Sequence, residues 1–286
     1  MSRVHDALRR AEQAGDEREV TKRPAVERVE PPAAKVPEGL LDHILEVPYS
    51  PSPDSYLIDP NRPHDAHSEE FRTLRTRLNH MQKLQPIHTV VVTSASPAEG
   101  KSFTAVNLAL SEAQLSGNLT LLADFDLRRP MLHKIFQVDR APGITDYLQG
   151  KVPLSAAIRK LAGTNLYFAP AGESVTNPLE LLNLPEAKDL FEQLPSVFNW
   201  VLFDSPPLLF AADANLLSTM ADGTIIVVRI GSTTIDSVKR AMQTLCENNV
   251  LGVVANGARK GELYSKYTYY YSSYYYSGEK EHEGEE

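Results

Sequence analysis

The sequence predicts a doubly wound α/β domain with a mostly parallel sheet, on three observations. Six short apolar runs recur at 88–93, 119–123, 165–169, 199–203, 224–229 and 250–255. Helical patterns lie between them, notably at 101–115, 186–194, 213–220 and 233–248. Three of the runs lead directly into a Gly-Lys-Ser loop or into aspartates, which puts polar chemistry at strand ends. Strands that alternate with helices need crossover connections, so they run parallel in a sheet covered on both faces.

Composition sets the outer limits. With 286 residues, 42% hydrophobic and 23% charged, the chain has room for a proper core. Its net charge of -8 argues against general nucleic-acid binding, which calls for a basic excess. The single cysteine, Cys246, rules out an internal disulfide or a cysteine-built metal cage and fits a reducing cytosol. On its apolar, periodic segment that cysteine reads as core. No run approaches the roughly 18–20 apolar residues that span a bilayer. The start, Met1-Ser2-Arg3-Val4-His5-Asp6, lacks the apolar centre of a secretory signal. The expectation is a cytoplasmic chain that reaches the membrane only through a partner.

Taken in order, residues 1–15 place Val4, Ala7, Leu8 and Ala11 at helical spacing behind Ser2 as N-cap. They read as a short amphipathic helix for partner docking, or as a frayed terminus. Residues 16–63 hold nine of the twenty prolines and read as an extended, unpacked linker, with a helical turn or two over 38–46. The folded domain is expected over 64–261. Within it, 68–84 is a helix with Phe71, Leu74, Leu78 and Met81 on one face and Glu69, Arg72 and Arg75 in a stripe beside them. Residues 262–286 contain Leu263 as their only aliphatic side chain, too little for a core, and read as a disordered tail.

The chemistry begins where the run Val90-Val91-Val92-Thr93 enters Ser94-Ala95-Ser96-Pro97-Ala98-Glu99-Gly100-Lys101-Ser102, with a helix following. A strand, a loop and a helix in this order form a phosphate-binding loop, whose N–H groups turn inward at the positive helix end. Residues 96–103, from Ser96 and Pro97 through Ala98, Glu99 and Gly100 to Lys101, Ser102 and Phe103, are therefore the candidate ATP-binding stretch. Lys101 would bridge the β- and γ-phosphates and Ser102 would ligate Mg2+. The usual first glycine of the motif falls on Ala95, and a frequent internal glycine falls on Ala98.

Two further apolar runs end in carboxylates. One gives Asp124-Phe125-Asp126-Leu127-Arg128, whose aspartates leave an extended chain on the same side. The other gives Asp204-Ser205-Pro206-Pro207. A single such aspartate is normally a turn former. Three of them beyond strand ends converge with the loop, because open parallel sheets bind ligands there. Phosphoryl transfer needs a metal at the phosphates and a carboxylate to orient the incoming hydroxyl and take its proton. Asp204 suits the metal–water shell, and Asp124 and Asp126 suit the metal and acceptor sides. Spacing does not decide which of those two meets the acceptor.

Over roughly 65–276 the sequence resembles the bacterial tyrosine kinases of exopolysaccharide and capsule synthesis, the BY-kinases. The resemblance rests on the Gly-Lys-Ser loop, the D-x-D-x-R segment (Asp124, Asp126, Arg128), the D-x-P-P segment at Asp204 and a tyrosine-rich C-terminus. It implies a P-loop fold like that of the partitioning and division-site ATPases, with Asp124, Asp126 and Asp204 organising Mg·ATP. It also implies that Glu69-x-x-Arg72-x-x-Arg75 serves ring-like self-association, where the residues alone would read as a solvated helix face. The partitioning and division-site ATPases carry a loop lysine that would fall at Ser96, and its absence separates this chain from them. Asn256 resembles their adenine-side asparagine, or is an ordinary turn residue. A separate membrane activator of the polysaccharide co-polymerase type is the partner the resemblance implies.

Eight of the twelve tyrosines fall between 264 and 276: Tyr264, Tyr267, Tyr269, Tyr270, Tyr271, Tyr274, Tyr275 and Tyr276. With no aliphatic partners they read as phosphoacceptors, the alternative being an aggregation-prone aromatic tract. From Asn256 to Tyr269 a flexible chain reaches about 20 Å, enough for its own site or a neighbour's. Phosphotyrosines beside the five terminal glutamates would repel one another, so phosphorylated copies are expected to separate. Two other readings stand beside the kinase: an ATPase switch with an unmodified tail, and a non-catalytic adaptor with a degenerate loop.

Overall fold

A computed structural model describes residues 39–59, 66–245 and 250–258, all within one compact unit that spans 35–286. The expected helix at 1–15, Cys246 and the tail 262–286 lie outside the described residues. Eight strands form one sheet: β1 (Leu45–Val47), β2 (Thr89–Ser94), β3 (Thr120–Asp124), β4 (Arg159–Leu161), β5 (Leu166–Ala169), β6 (Trp200–Asp204), β7 (Gly223–Arg229) and β8 (Val250–Asn256). Their order across the sheet is β1-β4-β5-β3-β6-β2-β7-β8. Every pairing is parallel except β4 with β5. All six strands expected from the sequence form within a residue or so of their runs. The two that were not expected, β1 and β4, are three residues each and lack an apolar run.

Nine α-helices accompany the sheet among the described residues: α1 (Ala66–Leu84), α2 (Lys101–Glu112), α3 (Leu132–Ile135), α4 (Ile144–Leu148), α5 (Leu154–Ala157), α6 (Pro178–Leu182), α7 (Pro185–Gln193), α8 (Ala212–Met220) and α9 (Ile235–Thr244). The two-residue strand period divides the core. Val91, Leu121, Ala123, Val201 and Phe203 point to one face, with α6, α7 and α8. Val90, Val92, Leu122, Trp200 and Leu202 point to the other, with α1 and α2. Apolar on alternate positions of both faces, these strands are buried on both sides, as a central parallel sheet requires.

One expectation is corrected. The described part of the 16–63 segment is packed structure, not linker. Leu40, Val47, Leu57 and Ile58 are buried, and Val47 joins the sheet edge in β1. Asn107 of α2 accepts the Ile58 N–H at 2.8 Å, and the Tyr49 hydroxyl donates to the Ile58 carbonyl at 2.9 Å. Each buried aliphatic contributes about 1.5–3 kcal/mol, so a few apolar residues between prolines suffice to dock such a strap. No helix among the described residues is long and apolar enough to cross a membrane.

Candidate active site

Strand order places the chemistry. β3, β6 and β2 are neighbours and parallel, so their carboxyl ends share one rim. Register sharpens this: Asp124 is paired with Asp204, and Asp204 with Val92, two residues before β2 ends at Ser94. The loop after Ser94 therefore starts beside the two strand-end carboxylates.

The loop departs from the glycine pattern in two different ways. Ala95 is fully buried and packs with Leu208, Ala214 and Ile226 at an ordinary backbone angle, so no glycine is needed there. Ala98, by contrast, has φ 63°, and Gly100 has φ 98°. A left-handed alanine is strained, whereas glycine adopts the same angle freely. Gly100 is also obligatory on space, since a Cβ there would lie 1.9 Å from the Asn256 side-chain nitrogen. Loop contacts are dense. Ser94 Oγ donates to the Ser96 carbonyl at 2.7 Å, and the Ser96 N–H donates to Glu99 Oε2 at 2.9 Å. Arg229 donates to the Ala98 carbonyl at 3.1 Å and Asn256 to the Glu99 carbonyl at 3.0 Å.

Lys101, the first residue of α2, turns its ammonium to the carboxylates. Nζ lies 2.8 Å from Asp126 Oδ2, 3.7 Å from Asp204 Oδ1 and 3.3 Å from Ser102 Oγ. Burial works against the charged ammonium, but Asp204, Asp126 and Asp124 outweigh it and raise its pKa. Burial also raises Asp124, helped by the Asp204 charge and opposed by the N–H groups of Leu132 and Met131. Asp204 is raised by burial as well, with Lys101 the main opposing influence. Asp124 Oδ2 accepts the Met131 and Leu132 N–H groups at 2.9 and 3.0 Å, and Asp126 Oδ1 accepts that of Arg129 at 3.0 Å. The D-x-D-x-R turn is thus clasped by its own carboxylates.

Three buried oxygens remain open. Asp124 Oδ1 and both oxygens of Asp204 have no hydrogen-bond partner among the described residues. Buried carboxylate oxygens are costly in that condition unless a cation or donor completes them. The hard oxygen set of Ser102, Asp124 and Asp204 suits Mg2+. No three His, Cys, Asp or Glu side chains among the described residues are grouped to hold an ion alone. An ion at this rim therefore needs water and phosphate oxygens too.

Other expected site residues are placed less simply. Arg128 is half-exposed and pairs through Nε with Asp213 Oδ2 at 2.7 Å, in the first turn of α8. The Phe103 ring packs edge-on against Phe71 at 6.1 Å, part of the core beneath α1 and not of the cradle. The Asn256 amide buttresses the loop through Glu99, and its oxygen accepts the Gly257 N–H at 2.8 Å. On α1, Glu69 pairs with Arg72 at the surface, while Arg75 turns inward to donate to the Ser111 carbonyl at 2.7 Å. The stripe is therefore split. Asp213, Arg229 and Thr233 were not expected from sequence, since none sits in a recognisable motif. A separate cavity of about 980 Å3, lined among others by Tyr49, Phe103, Phe136 and Arg159, includes none of Lys101, Asp124, Asp126 or Asp204.

No family model matches the chain. Among curated proteins it is 35% identical over 216 residues to the tyrosine-protein kinase YwqD of Bacillus subtilis, across 75% of this chain and 90% of that protein. It is 33% identical over 223 residues to the putative tyrosine-protein kinase EpsB of Ralstonia solanacearum, of which it spans 30%. Among solved structures, the kinase domain of the Escherichia coli tyrosine kinase ETK matches with a TM-score of 0.68 and 29% identity, over 79% of this chain and 96% of that one.

Proposed function

The chain belongs to the bacterial tyrosine-protein kinases, and from that premise we propose that it moves the γ-phosphoryl group of ATP onto tyrosine hydroxyls at the β3–β6–β2 rim. The observation that carries the reading is Lys101 beside Asp126 and Asp204, next to buried oxygens of Asp124 and Asp204 that accept no hydrogen bond among the described residues.

Each residue then has a task. Mg2+, held by Ser102, Asp204 and Asp124 with water, would supply charge neutralisation at the β- and γ-oxygens. Loop N–H groups from Ala98 to Lys101 cradle the phosphates, the Ser96 N–H being held by Glu99. Lys101, kept protonated by its carboxylates, places a point charge on the transferring group. Reaching phosphate parts Lys101 from Asp126. Asp126 Oδ2, held by Lys101 at 2.8 Å, is the oxygen that this move releases, so Asp126 takes the acceptor side in this reading. Once free of Lys101 it accepts the hydrogen bond and then the proton of the tyrosine hydroxyl.

The acceptors in this reading are the tyrosines between 264 and 276, of the same or a neighbouring copy. Self-association through Glu69, Arg72 and Arg75, a membrane activator, recruitment to the cytoplasmic face and a role in exopolysaccharide or capsule export rest on the family resemblance.

Intact-mass measurement of the full chain and of Lys101→Met, each with and without Mg·ATP, tests the proposal. The expected result is stepwise phosphate addition to the wild type that maps to 264–276 and is lost in the variant. ATP hydrolysis with an unmodified chain would indicate the switch; no Mg·ATP binding would indicate the adaptor.

A further inference from the structure

We propose that Glu99 is a positioning residue, a latch that holds the strained phosphate loop open for nucleotide by tying it to the turn after β7. The inference rests on the phosphoryl-transfer reading of the rim and deepens it.

The Glu99 side chain is 3% exposed and divided between two partners. Oε2 accepts the Ser96 N–H at 2.9 Å, and Oε1 accepts the Thr233 hydroxyl at 2.5 Å. Thr233 Oγ1 accepts the Arg229 N–H at 2.8 Å, and the Arg229 side chain donates to the Ala98 carbonyl at 3.1 Å. The two contacts bracket Ala98 from both sides. Asn256 holds the Glu99 carbonyl from β8. Carboxylates accept hydrogen bonds strongly, and a nearly dry site strengthens them further.

Strain explains why a latch is needed. Ala98 occupies φ 63°, where a Cβ is disfavoured and where phosphate loops often place glycine. Left to itself, an alanine there relaxes to negative φ and rotates the neighbouring N–H groups out of the cradle. Glycine would hold the angle at no steric cost, whereas this chain holds it by side-chain bonds from Glu99. The carboxylate spends both oxygens on protein donors, so its part in binding is to shape the loop.

Binding of Mg·ATP to the full chain, by calorimetry, together with KM and kcat for tail phosphorylation, tests the latch. Glu99→Ala should raise Kd and KM about tenfold while kcat changes less than about threefold, with the melting temperature little altered. Thr233→Val, which keeps shape and removes the hydroxyl, should weaken binding in the same direction, and combining it with Glu99→Ala should add little. The decisive variant is Glu99→Ala with Ala98→Gly, which should recover most of the lost affinity by removing the strain. If Glu99→Ala binds as the wild type does, or if glycine at 98 recovers nothing, the latch is wrong. A wild-type chain that binds no Mg·ATP would overturn the kinase reading itself, and the latch with it.

Discussion

Two regions of this molecule carry charges at regular spacing, and they handle them in opposite ways. At the β3–β6–β2 rim, Asp124, Asp126 and Asp204 are almost completely buried, gather round Lys101, and leave three oxygens without a hydrogen bond among the described residues. On α1, Glu69 and Arg72 answer each other at the surface, and Arg75 satisfies a backbone carbonyl of the neighbouring helix. Burial and incompleteness together favour a rim built for something outside the protein, because keeping carboxylate oxygens from water without a hydrogen bond is costly. The α1 charges are complete as they stand, and spacing alone gives them no second meaning.

The sharpest way to break the comparison is to neutralise the rim. On the proposed mechanism, Asp204→Asn should lower tyrosine phosphorylation by about 10²–10³-fold, since it removes a charge from the shell assigned to the metal and transition state. The same change should leave the nucleotide-free fold as stable as the wild type or more so, because burial makes the Asp204 charge unfavourable. Activity and urea unfolding measured on one preparation check both halves; a large loss of stability would mean the rim is structural. Arg128→Ala comes next. It leaves the buried Asp213 carboxylate in the first turn of α8 without its arginine and, because Arg128 is half-exposed and water can screen the loss, should cost about 2 kcal/mol by chemical denaturation. Arg128→Lys should recover only part of this, because a lysine cannot reproduce the paired contacts of Nε and Nη2 at 2.7 and 3.3 Å.

Between the regions lies Glu112 at the end of α2, a buried carboxylate that is fully partnered. It accepts from Asn79 and Asn118, and burial nonetheless pushes its pKa up to about 7, against the Asn79 bond, the Arg75 charge and the Asn118 bond. A carboxyl raised in the folded state favours folding while protonated, and that advantage disappears as pH rises from the ordinary carboxylate range through about 7. Glu112→Gln should therefore match the wild type near pH 4 and exceed it at pH 8 by on the order of 2 kcal/mol. Urea denaturation at the two pH values decides it, and parallel curves would show that the carboxyl titrates normally.

What could be read in advance follows the same division. Apolar runs ending in Asp124 and Asp204 are visible in sequence because buried strands and polar ends contrast sharply, and all six long strands appear where those runs predict them. The short strand Arg159–Leu161 and the strap at 39–59 were not legible: one carries two charged residues in three, and the other hides four buried apolar residues among prolines. Ala98 stands out in sequence as a departure from glycine, but its backbone angle and the Glu99 bonds that accompany it are tertiary facts. Arg75 shows the limit from the other side. Its spacing puts it in a stripe with Glu69 and Arg72, yet a residue of that length reaches Ser111 across the helix contact instead.

That split stripe sets the smallest effect. Glu69→Ala removes one partner of an exposed pair, which should change stability by less than about 0.5 kcal/mol, while Arg75→Ala, losing a half-buried bond to the Ser111 carbonyl, should cost about 1 kcal/mol. If copies associate through this helix, sedimentation should respond in the reverse order. Glu69 and Arg72 present charge outward and would carry recognition, so their removal should shift the association more than it shifts the fold. Arg75→Ala should then weaken the monomer first, with any loss of assembly following the loss of stability. Equal effects of Glu69→Ala and Arg75→Ala on both quantities would erase the distinction between a surface pair and an inward anchor.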